Sequence, residues 1–455
     1  MKKRTLISVP VIAALVAGVL FAQDITTWIK KTAGDKPALA VPDFRGAGDA
    51  QPLMAVFNAT LYQDLSNSGL FEMKPKSTYP LNNPQQQGDI RPQDGKGLAL
   101  ADWASPPVNA THLVFGFATI TNGVFAVYGN VDDTRQQTVQ AAQLLSNRYL
   151  GSPVEADAIR KAHEFANDII VKFGGSASLL DSHIYFTSSR GGAGGFGTEI
   201  WVMDWDGNNQ KQLTHLGAQL AHLAISPDGS RLAFTSWPLA GGQPQIGMVN
   251  AETGRKIPFY NQQASLNSAA TFTPDGMKLF YSSSASGTPQ IYTSALDGQG
   301  FTRITSTRGN PTEPKVNPKN PNALLFVDGN PKEQIYRMNS EGSGMERVTN
   351  GEGEASNPAW HPDGQHFAYA WTRGYQAGEF NVFVADIAEP QKYEQLTHDG
   401  RNENPVWAPD GRYLAYMHTP LKSRNAQIYT MRADGKEIKP LTTQGINRYP
   451  VWGVK

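Results

Sequence analysis

From residue 182 onward the chain alternates apolar and polar positions in short runs, and clusters of Gly, Pro, Asn and Asp separate the runs. Period-two alternation between turn residues predicts β-strands. In "RYLAYM", Tyr413, Ala415 and Met417 fall on one side and Leu414 and Tyr416 on the other. Both sides are apolar, so the strand is expected to pack on both faces. The run closes "WAPDGRYLAYMH" (407–418), which has relatives at "ISPDGSRLAFTS" (225–236), "FTPDGMKLFYSS" (272–283), "VNPKNPNALLFVD" (316–328) and "WHPDGQHFAYAW" (360–371). In each Pro-Asp-Gly turn, Pro presets one torsion, Asp bonds the turn through its side chain and Gly accepts a positive φ. "PKNP" (318–321) lacks Asp and Gly, which predicts a looser hairpin there.

A second phrase follows each copy: an alternating strand, a turn, and a short strand ending in Thr or its equivalent, as in "QIYTMRADGKEIKPLT". A sixth copy, "EIWVMDWDGNNQKQLT" (199–214), follows the strand "SHIYFTSS" (182–189) with no Pro-Asp-Gly strand before it. The missing strand stands at the other end, where "YPVWGVK" (449–455) matches the start of "NPVWAPDG" and stops. Six units of about 45 residues predict a six-bladed β-propeller, with the C-terminal strand completing blade 1 so that the two ends of the repeat pair with each other.

Residues 23–176 lack this period. Strands are expected at 37–44, 111–119 and 124–133, and helices at 50–69 and 152–175, the second with Ser152 and Glu155 as a capping box. The expected architecture is therefore two domains: a small α/β domain (23–176) and an all-β propeller (177–455). Residues 80–96 read as a polar loop.

Residues 1–22 place Lys2, Lys3 and Arg4 before an apolar run ending Leu20-Phe21-Ala22, the layout of an export signal. Cleavage after Ala22 would leave a chain with no further long apolar run, hence no membrane span. The alternative is a retained anchor. Forty basic side chains balance forty acidic ones without blocks of either sign, which argues against nucleic acid as a partner. With no cysteine, disulfides, iron–sulfur clusters and thiolate zinc sites are excluded.

Motifs with chemical meaning fail on context. Gly192-x-Gly194-x-x-Gly197 has the spacing of a dinucleotide loop, but a strand follows where a helix is needed, so it reads as a hairpin loop. "HEFAN" (163–167) has Asn where a zinc helix needs its second His, and "DWDG" (204–207) lacks the later oxygens of a calcium loop. No Gly-x-Ser-x-Gly elbow occurs. Neither catalytic residues nor a metal or cofactor site is expected.

Function is expected at the propeller mouth, on the loops entering each inner strand. These are "LAHLA" (220–224), "LNSAA" (266–270), "NPTEP" (310–314), "EASNP" (354–358), "NENP" (402–405) and "NRYP" (447–450). The candidates on them are His222, Asn267, Ala269, Thr312, Glu313, Glu354, Asn357, Asn402, Glu403, Asn404, Arg448 and Tyr449. Such a polar rim suits recognition better than bond breaking.

The order of these parts resembles the TolB family over essentially the whole chain after the signal. "ALAVPDF", "LYQDLSNSGLFEM", "AHEFANDII", "NPTEPKVNP" and "QLTHDGRNENPVWAPDG" carry the resemblance. It implies a monomeric, non-enzymatic periplasmic scaffold of the Tol-Pal envelope system, serving outer-membrane integrity and cell division. Its mouth would receive the lipoprotein Pal, with Asn267, Ala269, Thr312 and Glu313 facing it, and Leu266 stands where the family often has His. Its N-terminal segment, Asp24, Ile25, Thr26, Thr27, Trp28 and Ile29, would bind TolA. An extracytoplasmic propeller lyase or hydrolase, or a ligand- or glycan-binding propeller, are the other readings of the same pattern.

Overall fold

The computed structural model describes residues 25–28, 36–91, 98–173, 182–192, 197–329 and 332–454. The export signal, its cleavage point, the 176/177 boundary and the centre of the glycine loop at 193–196 lie outside them. Among the described residues no helix is long and apolar enough to cross a membrane.

The N-terminal region is a mixed sheet in the order Glu72–Met73, Ala38–Ala40, His112–Thr121, Val124–Asp133 and Gln143–Gly151, with Arg45–Gly46 also paired to the third strand. Helices α1 (Met54–Asn67) and α2 (Glu155–Lys172) cover one face. Phe57, Leu61 and Leu65 recur every four residues along α1 and meet Phe165 and Ile169 of α2 over Val114, Val127 and Val131. The strand expected at 37–44 shortens to Ala38–Ala40, since Pro42 has no amide to offer a ladder. The capping box does not form: Val154 is the N-cap, with no side-chain cap bond. Instead Asp157, in the first turn, accepts from the Ser152 amide at 2.6 Å. Edge strand Gln143–Gly151 was not anticipated, because only Tyr149 of its nine residues is buried and the alternation is masked by polar positions.

The propeller is six four-stranded antiparallel blades. Blade 1 joins Asn447–Val454 to Ser182–Ser188, Glu199–Asp204 and Lys211–Gln212, the terminal clasp that the repeat predicts. Trp452 Nε1 donates to Ser182 Oγ at 2.7 Å within it. Blades 2 to 6 begin at Ala218–Ile225, Asn267–Phe272, Thr312–Val316, Ala355–Trp360 and Arg401–Trp407. In blade 6, Leu414 and Tyr416 join the core shared with blade 5, while Tyr413 and Ala415 join the core shared with blade 1.

Two local devices account for the repeated phrases. Asp228, Asp275, Asp363 and Asp410 each accept from the amide two residues on, at 2.8–3.0 Å, beside a glycine at φ 68–73°. The hairpin of blade 4 is not left loose: Asn317 Oδ1 accepts from the amides of Lys319 and Asn320 at 2.9 and 3.0 Å, so Asn317 takes over the work of the missing Asp. The second device links the first residue of the third strand to the terminal Thr. In blade 4, Ile335 N donates to Thr349 Oγ1 (3.0 Å), which donates to Gln334 Oε1 (2.9 Å). Gln290/Thr305, Gln427/Thr442, Glu199/Thr214 and Asn381/Thr397 repeat it, and in blade 2 Asn261 closes the loop on Ile246 instead. Thr349→Val strands a buried amide and a buried Gln oxygen, so urea denaturation should show a loss of about 1–3 kcal/mol. A change under about 0.5 kcal/mol, the usual surface value, would count against the device.

Blade 6 also meets the N-terminal region. Tyr413 Oη donates to Ser68 O at 3.1 Å. The next residue is Gly69, at φ 63°, where an added Cβ would lie 1.5 Å from the Tyr413 hydroxyl. Lys36 pairs with Glu437 across the same boundary.

Candidate functional site

The six inner strands surround a channel of about 480 Å³. Each is interrupted by a register shift at the same height: Ala221/Ala224, Ser268/Thr271, Thr312/Lys315, Ser356/Ala359, Glu403/Val406 and Arg448/Val451. The first residue within each break is left-handed: His222, Ala269, Glu313, Asn357, Asn404 and Tyr449, all at φ 48–52°. None is glycine, so each carries a local cost of about 1–2 kcal/mol. A bulge re-aims a side chain, and all six of these residues line the channel.

Hydrogen bonds knit half of this ring. Glu313 accepts from Asn357 N (2.8 Å) and from Asn357 Nδ2 (2.9 and 3.1 Å), and Asn357 Oδ1 accepts from Asn404 N at 3.2 Å. His222 Nε2 lies 3.8 Å from Glu313 Oε1. Burial pushes the His222 imidazole below its ordinary pKa, against the pull of Glu313, and favours the neutral ring. Thr235 Oγ1 stands 3.5 Å from His222 Nδ1, but Thr235 is fully buried and accepts from Ala269 N at 2.9 Å. The hydroxyl braces the ring and does not face the channel as a nucleophile would. Among the described residues no group of three or more metal-ligating side chains gathers.

The other mouth candidates divide into two sets. Thr312, Glu354, Glu403 and Arg448 are part-exposed next to the ring. Burial raises the Glu403 carboxyl above its usual range, opposed by Arg401 and Arg448. Asn267 and Asn402 are at 0% and 1% exposure and serve the blades. Asn402 Nδ2 donates to Asn381 Oδ1 (3.0 Å) and Asp399 O (2.7 Å), and His418 Nδ1 donates to Asn402 Oδ1 at 2.8 Å.

Of the N-terminal segment, Asp24 and Ile29 lie outside the described residues. Ile25 and Trp28 are buried against Val382, Val384, Leu396, Trp407 and Leu414 of blades 5 and 6. Trp28 stacks on His366 with centroids 3.6 Å apart and planes 13° apart, and meets His361 edge-on at 5.0 Å. Thr26 Oγ1 donates to Glu394, while Thr27 is exposed. Trp407 also lines the channel, so one indole touches both the channel and this segment.

Three comparisons bear on identity. The chain is similar to the "Protein TolB homolog" of Chlorobium luteolum, 31% identical over 43% of either chain. It is also similar to the "Tol-Pal system protein TolB" of Bordetella parapertussis, 27% identical over 57% of this chain and 62% of the relative. The chain spans about half the length of the curated relatives it matches. The crystal structure of TolB from Acinetobacter baumannii superposes with a TM-score of 0.72 over 93% of this chain and 98% of that one, at 20% identity, which establishes the shared fold. Residues 171–455 match the family model described as the TolB beta propeller domain, PD40, and the chain belongs to that family.

Proposed function

We propose that the chain is a monomeric, non-enzymatic periplasmic scaffold of a Tol-Pal-type envelope system. It receives a Pal-like lipoprotein at the mouth ringed by His222, Ala269, Glu313, Asn357, Asn404 and Tyr449, and a TolA-like protein through the segment around residues 24–29. In this role it serves outer-membrane integrity and cell division. The observation that carries the reading is the same strained bulge repeated in all six blades at one end of the channel. A cost met six times at one height is spent on presenting side chains there. Relatives that carry the name "Tol-Pal system protein TolB" supply the system. Because Ile25 and Trp28 are buried, a TolA-like partner that reads them competes with blades 5 and 6 for the segment. Their burial sets that competition at about 2–3 kcal/mol per side chain.

The test is calorimetric titration with the cognate Pal-like domain. Thr312→Arg and Asn404→Arg add bulk and charge at the mouth without removing a buried bond, since Asn404 uses only its amide in the ring. Each should weaken binding at least about tenfold with the melting curve preserved. Unchanged affinity in both would remove the mouth from the interface.

A further inference from the structure

Two residues beyond the left-handed Glu313, the Lys315 side chain lines the same channel. Its ammonium makes no ion pair or hydrogen bond with the described residues, and the side chain is part-exposed in the channel. The nearest acid, Glu313, has both oxygens committed to Asn357. His222, whose imidazole the Lys315 charge reaches, is held toward its neutral form by burial. A half-buried ammonium without a protein partner gives up part of its hydration with nothing from the protein to replace it. The same desolvation pushes the Lys315 pKa below the usual lysine range.

The walls around it are apolar. Phe272, Val316, Trp360, Trp407 and Trp452 line the channel beyond Lys315, from blades 3, 4, 5, 6 and 1. Trp360 Nε1 donates to Lys315 O at 3.0 Å, which fixes that indole beside the lysine backbone. A pocket with one unpaired cation, an apolar wall and a polar mouth is built for an amphiphilic anion. Glu313 already places one negative charge nearby, so a monoanion fits the charge balance better than a phosphate dianion.

We propose that Lys315 anchors a carboxylate, carried on an apolar body that lies against Trp360, Trp407 and Trp452. The source is either an Asp or Glu of a protein partner reaching through the mouth, which rests on the function proposed above, or a free organic acid.

Hexanoate is the probe and hexanamide its neutral counterpart, with tryptophan fluorescence of the full exported chain as the readout. Lys315→Met keeps the approximate length of the side chain and removes its charge without breaking a side-chain bond, so folding is preserved. Hexanoate should give a saturable change, with a midpoint at least about tenfold higher for hexanamide and for Lys315→Met. No saturable response, or the same midpoint in Lys315→Met, would overturn the site.

A second arm titrates the Pal-like domain. If Lys315→Met weakens it and hexanoate competes with it, the carboxylate belongs to the partner. If its binding is untouched while the hexanoate response is lost, the ligand is a free acid. Hexanoate binding in a protein that ignores the Pal-like domain would refute the scaffold reading and leave the site standing.

Discussion

Removing residues 447–454 will abolish cooperative folding of the propeller, and Trp452→Ala alone will cost about 3–5 kcal/mol. The deletion takes the innermost strand from blade 1 and leaves Ser182–Ser188 with one free edge along its whole length. It also uncovers the core that Ile184, Phe186 and Met203 share with blade 6. In the point variant, an indole at 6% exposure is lost together with its bond to Ser182 Oγ. A melting temperature lower by roughly 10 °C is expected for a domain of this size. Calorimetry on the deleted chain decides the first claim: one sharp transition would show that five whole blades and a three-stranded blade 1 suffice.

Asn402→Arg will unfold the protein or cost more than about 4 kcal/mol, because a buried cation replaces a fully bonded amide. Asn402 gives up bonds to Asn381, Asp399 and His418 at a site only 1% exposed. Asn404→Arg, two residues on, should fold normally. Far-UV circular dichroism and urea melts of the pair provide the check. Equal stability of the two variants would mean that Asn402 is a surface residue after all.

That pair shows where the sequence was readable. The blade count, the clasp and the facing of Tyr413 against Leu414 follow from period-two alternation and from a motif split between the two ends of the chain. These are repeated signals, and repetition suppresses local ambiguity. The bulges did not announce themselves, since a bulge leaves the residue order unchanged while displacing the register. Their trace was the X-Pro pair in Glu313-Pro314, Asn357-Pro358, Asn404-Pro405 and Tyr449-Pro450. Asn402 and Asn404 look alike as polar loop residues, and only the bulge between Glu403 and Val406 decides which faces the channel. Lys315 was passed over because a lone lysine in a strand reads as a solvated face. The edge strand Gln143–Gly151 and the blade 4 turn on Asn317 were missed because packing and side-chain bonds, not pattern, define them.

The clasp also sets an order of events. Trp452 and Ser182 are 270 residues apart, so the ring cannot close while the last strand is still being made. Until then the nascent chain holds an incomplete first blade with an exposed strand that neighbouring chains could pair with. A holdase that shields this strand, or a delay of folding until synthesis ends, is what such a ring demands of the cell. Closure is then all-or-none, since the final strand either zips onto Ser182–Ser188 or leaves both ends of the circle open.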